Sequence, residues 1–169
     1  MYELIKLFYQ IAIFQKGPQD VPASQWLLRL LIPVYMGINF LVLKLSSDLV
    51  SALLQVLVEV VLVLVFARGL LAFVGKPERY RQTACALLGT DALLSLFALP
   101  AIASLIGQGS APAFVVVVSL MLWHWVVTGH ILRHALSQPL IFALGVAFLY
   151  ILASYQVMAF LFPELASNQ

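Results

Sequence analysis

Leu49–Val74 reads LVSALLQVLVEVVLVLVFARGLLAFV, and this run decides the fold. It is 26 residues long and carries two charges, Glu59 and Arg68. A helix crossing the hydrocarbon core of a bilayer needs about 20 mainly apolar residues. The run therefore predicts a transmembrane helix. Four further runs qualify in the same way, at about Trp26–Leu45, Thr83–Leu105, Pro112–Leu136 and Pro139–Phe162. The links between them are short and rich in helix-ending residues: Ser46-Ser47-Asp48, Gly75-Lys76-Pro77, Gly107-Gln108-Gly109-Ser110 and Ser137-Gln138-Pro139. No strand alternation competes, and the many ten-residue segments of a β-barrel are missing from the pattern.

Composition points the same way. Over 169 residues the chain is 63% hydrophobic and 9% charged, with a mean hydropathy of +1.05. Soluble domains carry about 25% charged residues, so this chain has too few to cover a water-soluble globule. One cysteine, Cys85, cannot staple a small secreted fold. The net charge of +2 gives no reason to expect nucleic acid. The fold class is all-α: a polytopic integral membrane bundle of five transmembrane helices.

Residues 1–16, MYELIKLFYQIAIFQK, are too short to span. Leu4, Ile5, Leu7, Phe8, Ile11, Ala12 and Phe14 recur at helical spacing, interrupted by Glu3, Lys6 and Gln10. A signal-peptide core is disfavoured, because Glu3 cancels Lys6 and leaves no net positive charge ahead of the apolar residues. The pattern predicts an amphipathic helix lying at the bilayer interface. Domain organisation follows: 1–25 for that helix and its Pro/Gly linker, 26–162 for the five spans, and 163–169 for a short external tail.

Orientation comes from counting Lys and Arg. Lys6, Lys16, Arg29, Arg68, Lys76, Arg79, Arg81 and Arg133 fall on one side, and Lys44 alone on the other. The positive-inside rule puts the N-terminus in the cytoplasm and the C-terminus outside. The expected location is a bacterial inner membrane.

Ionisable residues within spans are the functional candidates, since each is costly in hydrocarbon. Glu59 and His124 fall near the midplane, which predicts a Glu59–His124 contact. Asp91, counted from Thr83, falls level with His130, which predicts an Asp91–His130 contact. Glu59 and Arg68 are nine residues apart and so on opposite faces of their helix; Arg68 is left to snorkel toward headgroups. Such pairs serve either as a proton relay or as polar glue between helices, with Glu59 carried in its neutral form. His130 and His134, at i and i+4, share a face and could chelate a metal, but a third ligand is missing. A bis-histidine haem needs facing helices, whereas His124, His130 and His134 share one. No cofactor, haem or metal is therefore expected. Gly69-(x)5-Gly75-Lys76-Pro77 fails as a phosphate loop, having the wrong spacing and Pro in place of Ser or Thr. No arrangement of nucleophile and base argues for an enzyme.

Gly75, Tyr80-Arg81-Gln82-Thr83, Ala86-Leu87-Leu88-Gly89-Thr90 and the in-helix Pro100 form a pattern over the third span. With Trp123-His124-Trp125, Gly129-His130-Ile131-Leu132 and Ala135-Leu136-Ser137 in the fourth, it resembles the Yip family of Ypt/Rab-interacting membrane proteins over about residues 65–160. The resemblance implies five spans, a cytoplasmic N-terminus and a short external C-terminus. The family's eukaryotic D-L-Y-G-P motif is not present, which implies a bacterial-type relative. The expected function is a non-enzymatic membrane scaffold or accessory protein. It would meet a membrane-protein partner or a second copy of itself through its helices, with Gly37, Ala143, Gly145 and Ala147 permitting close approach, and through the basic loop Lys76–Arg81. Two alternatives stand beside it: a subunit of an electron-transfer complex using the histidines, and a proton or ion pathway using Glu59, Asp91, His124 and His130.

Overall fold

The computed structural model describes residues 2–163. Within them the chain forms six α-helices: α1 (Tyr2–Ala12), α2 (Gln25–Leu43), α3 (Leu49–Phe73), α4 (Tyr80–Gln108), α5 (Ala111–Leu136) and α6 (Leu140–Leu161). Short 3-10 turns at Pro18–Asp20 and Pro77–Arg79 lead into α2 and α4. Helices α2 to α6 are each long and apolar enough to cross a membrane, and the protein is an integral membrane protein of all-α architecture. The external tail expected after Pro163 lies outside the described residues.

Local chemistry sets the helix ends. Ser24, Asp48 and Ser110 are N-caps whose side chains accept from Leu27 N, from Val50 N and Ser51 N, and from Ala113 N. Gly75 and Gly109 adopt the left-handed conformation that closes α3 and α4, with φ of 73° and 59°. Helix α4 begins three residues before the apolar run predicted, because the turn at Pro77–Arg79 feeds straight into Tyr80-Arg81-Gln82. These residues are polar yet helical, and hydropathy does not register them.

Helix α4 is the centre of the bundle. Every residue from Thr83 to Thr90 is buried, as expected for a helix surrounded on all sides. Ala84, Cys85, Ala86 and Gly89 keep this stretch narrow, so that α1, α2, α3 and α5 can pack around it. Helix α6 lies against α5. There Gly129 passes close to Leu144, the Trp125 indole donates to the Leu144 carbonyl at 3.0 Å, and Ala143 and Ala147 are fully buried. Those two alanines thus join helices of one chain rather than separate chains. Gly37 and Gly145 have nothing packed over them.

Helix α1 is amphipathic, but its apolar face is not turned to lipid. Leu7, Phe8, Ile11 and Ala12 are buried in the bundle core. The Phe8 ring lies so close to Gly89 that a Cβ there would stand 2.7 Å from Phe8 Cδ1. Gly89 is nine residues beyond Tyr80, roughly 13 Å along α4 at 1.5 Å per residue. The apolar face expected to meet the bilayer therefore packs instead in a groove of the bundle, partway along α4. The missing Cβ of Gly89 is the physical reason: it opens a seat for an aromatic ring in an otherwise filled wall. The docked helix ends on Phe14, which holds a left-handed φ of 63°. The Phe14 ring packs against both Trp123 and His130, each with a centroid distance of 5.2 Å. Trp123 Nε1 donates to the Ala12 carbonyl at 3.1 Å, and His130 Nε2 donates to the Lys16 carbonyl at 2.9 Å.

Candidate functional site: a polar chamber among the five spans

The chamber is built from one recurring unit. Helix α2 carries Tyr35 and Asn39, α3 carries Gln55 and Glu59, α4 carries Asp91 and Ser95, α5 carries His124 and Thr128, and α6 carries Tyr150 and Ser154. Each pair is spaced i and i+4, so both members share one helix face. All five faces turn to the same interior. Nine of these ten side chains line a single cavity of about 440 Å³, and the tenth, Gln55, is buried and donates instead to Ser47 Oγ at 3.5 Å. Apolar walls come from residues such as Leu62, Leu87 and Val127.

Register explains the convergence. Asp91 lies eleven residues beyond Tyr80 on a helix leaving the basic end of the bundle, and His124 twelve before Leu136 on a helix returning to it. At about 1.5 Å per residue both stand some 16–18 Å from that end. Their side chains meet: His124 Nδ1 is 3.1 Å from Asp91 Oδ1. Across the chamber, Ser95 donates to Asn39 Oδ1 at 2.9 Å and ties α4 to α2.

Glu59 lines the same cavity as Asp91 and His124. Among the described residues it has no ion-pair partner; the ion pair there is Asp91–His124. No fully buried side-chain polar atom among them lacks a hydrogen-bond partner, so the Glu59 carboxyl opens on the cavity rather than into a dry wall. The chamber thus holds a matched acid and base, and one further acid.

This corrects both expected pairings. Asp91 pairs with His124 rather than with His130, and Glu59 shares the chamber with His124 without being its bonded partner. The error came from starting the third span at Thr83. The three residues omitted there move Asp91 about 4.5 Å deeper, past the level of His130. The side chain of His130 faces the other way and secures the end of α1. Its ring and that of His134 meet edge to face at 4.7 Å. Because a carbonyl can only accept, His130 Nε2 carries a proton and is not free to ligate a metal. Among the described residues no three His, Cys, Asp or Glu side chains converge as a metal site. Cys85 is free and buried in α4.

The basic loop is also recast. Lys76 Nζ donates to the Leu136 carbonyl at 2.7 Å. Arg79 Nη1 donates to the carbonyls of His134 and Ala135 and to Ser137 Oγ, at 3.2, 3.1 and 2.8 Å. Both cations thus cap the carbonyl end of α5, where the helix dipole is negative, instead of standing free for a partner. Arg68 lies over the Tyr80 ring, 5.8 Å from its centroid. Arg81 is exposed.

Tyr35, Asn39, Thr90, Ser95, Thr128, Tyr150 and Ser154 were missed as site residues. The signal that finds all of them but Thr90 is an i, i+4 polar pair present on every span. Comparison of the chain with protein-family models, curated proteins and solved structures gave no match.

Proposed function

We propose that the protein is a non-enzymatic proton-handling unit of the membrane, working through the chamber. The observation that carries this reading is the convergence of all five spans on one cavity that contains the Asp91–His124 pair and an unpaired Glu59. Polar glue between helices calls for side chains that satisfy one another and close the gap. Here the gap is open, and an acid faces it. A proton on Glu59 neutralises the surplus charge, and His124, bonded to Asp91 through Nδ1, has Nε2 left to exchange one.

The test is proton flux in liposomes. Wild-type protein is expected to carry Glu59-dependent flux, and Glu59→Gln, which keeps shape and hydrogen bonding, is expected to fold normally and lose it. Absence of flux from wild-type liposomes would refute the proposal.

A second reading is a scaffold or accessory subunit, with a membrane-protein partner or a second copy of the chain. Its support is the open surface at Gly37 and Gly145, on α2 and α6. Mass analysis in mild detergent tests it, and a strictly monomeric particle without a companion counts against it. Kinship with the Yip family belongs to this second reading and is supported by the number of spans. The eight-to-one distribution of Lys and Arg supports a cytoplasmic N-terminus, and a bacterial inner membrane goes with the bacterial-type resemblance alone. An electron-transfer role has less support, since His130 is engaged with Lys16 and the three histidines share one helix.

A further inference from the structure

The chamber has one acid too many. With His124 protonated, Asp91 and His124 compensate each other at 3.1 Å, so an ionised Glu59 leaves a net negative charge in a chamber whose single base is already matched. Such a charge is tolerated only with a proton or a cation beside it. A bare metal ion needs several close oxygen or nitrogen ligands at once, and no convergent ligand set exists among the described residues. The space is also too large for one: about 440 Å³ lies at the small end of the 300–1,000 Å³ typical of small-molecule pockets. Two tyrosines, Tyr35 and Tyr150, line it together with Glu59 and Asp91. Aromatic rings beside a carboxylate suit an ammonium group. Phe66 stacks on the Tyr150 ring at 4.2 Å and steadies that wall. The remaining walls, among them Leu62 and Val127, suit an apolar substituent.

We infer that the chamber binds a small organic ammonium ion carrying an apolar substituent, with its charged nitrogen at Glu59. Binding displaces the proton of Glu59, so cation and proton exchange one for one and the charge of the chamber is conserved. The titratable groups that share the cavity with Glu59 are Tyr35 on α2, Asp91 on α4, His124 on α5 and Tyr150 on α6. This inference rests on the chamber being the working site of the protein.

The experiment uses the full chain in detergent, weakly buffered, with a pH-indicating dye and benzylammonium as the probe. Calorimetry reads binding, and the dye reads proton release. Saturable binding is expected, with about one proton released per cation. Glu59→Gln is expected to weaken binding about tenfold or more, the loss of a charge-assisted contact, and to abolish proton release while melting as wild type does. Tyr150→Leu, which removes the aromatic face but no charge, is expected to weaken benzylammonium binding and keep the proton release. Sodium binding as well as benzylammonium would overturn the ammonium assignment, as would benzylammonium binding unchanged in Glu59→Gln. If benzylammonium fails to bind while liposomes show Glu59-dependent flux, this inference falls and the proton-handling proposal stands. If neither is seen, both fall.

Discussion

The Asp91–His124 contact is the feature most open to a quantitative test. Asp91→Ala, His124→Phe and the double variant form a cycle whose coupling energy isolates the pair from the separate effects of each truncation. The atoms are 3.1 Å apart, and the side chains are 20% and 36% exposed to the cavity and surroundings. Hydrogen bonds to charged groups contribute about 1.5–3 kcal/mol, and partial exposure places this one near the lower figure, about 1.5 kcal/mol. That is roughly a tenfold change in the unfolding equilibrium. A second cycle, Asp91 with His130, serves as the control. His130 is six residues further along α5, about 9 Å, and it is held by Lys16. Distant sites add within about 0.5 kcal/mol, so this coupling is expected to be negligible. Reversible unfolding in mixed micelles, read by tryptophan fluorescence or circular dichroism, supplies the energies. Coupling of Asp91 to His130 that exceeds its coupling to His124 would refute the register assigned to α4 and α5.

Three further outcomes follow from packing and capping. A Cβ on Gly129 would stand 2.6 Å from Leu144 Cδ2 and 3.3 Å from its Cα, whereas Gly145 has nothing within 4 Å; Gly129→Ala is therefore expected to be less stable than Gly145→Ala by about 1–3 kcal/mol in the same unfolding assay. Trp123→Phe keeps a ring against Phe14 but removes the donor to the Ala12 carbonyl, a loss of about 1 kcal/mol, and hydrogen exchange is expected to quicken severalfold in α1 and not in α6. Hydrogen bonds from Ser51 and Val50 hold the Asp48 carboxyl below its ordinary range. A folded value below the unfolded one means that the cap contributes above the ordinary carboxylate pKa and is lost as pH falls through the depressed value. Asp48→Ala is accordingly expected to speed exchange at the start of α3 at neutral pH, with the difference from wild type vanishing in strong acid.

The spans were legible in the sequence to within about three residues. Length and hydropathy are properties of each segment alone, and the caps Ser24, Asp48 and Ser110 and the closing Gly75 and Gly109 are local chemistry. Glu59, Asp91 and His124 stood out for the same reason: each is an ionisable group in a run too apolar to hide it. The polar pairs at i and i+4 were present in the sequence as well, although only the cavity shows that five faces meet. Tertiary structure alone decided who meets whom. Pairing depends on the register of one helix against another, and three residues at the start of α4 were enough to give Asp91 to His124 and leave His130 for Lys16. It also decided the place of α1. Amphipathicity says that an apolar face must be covered but not by what, and a bilayer interface or a groove in the bundle serves equally well. The groove exists because Gly89, in the middle of α4, has no side chain where Phe8 lies.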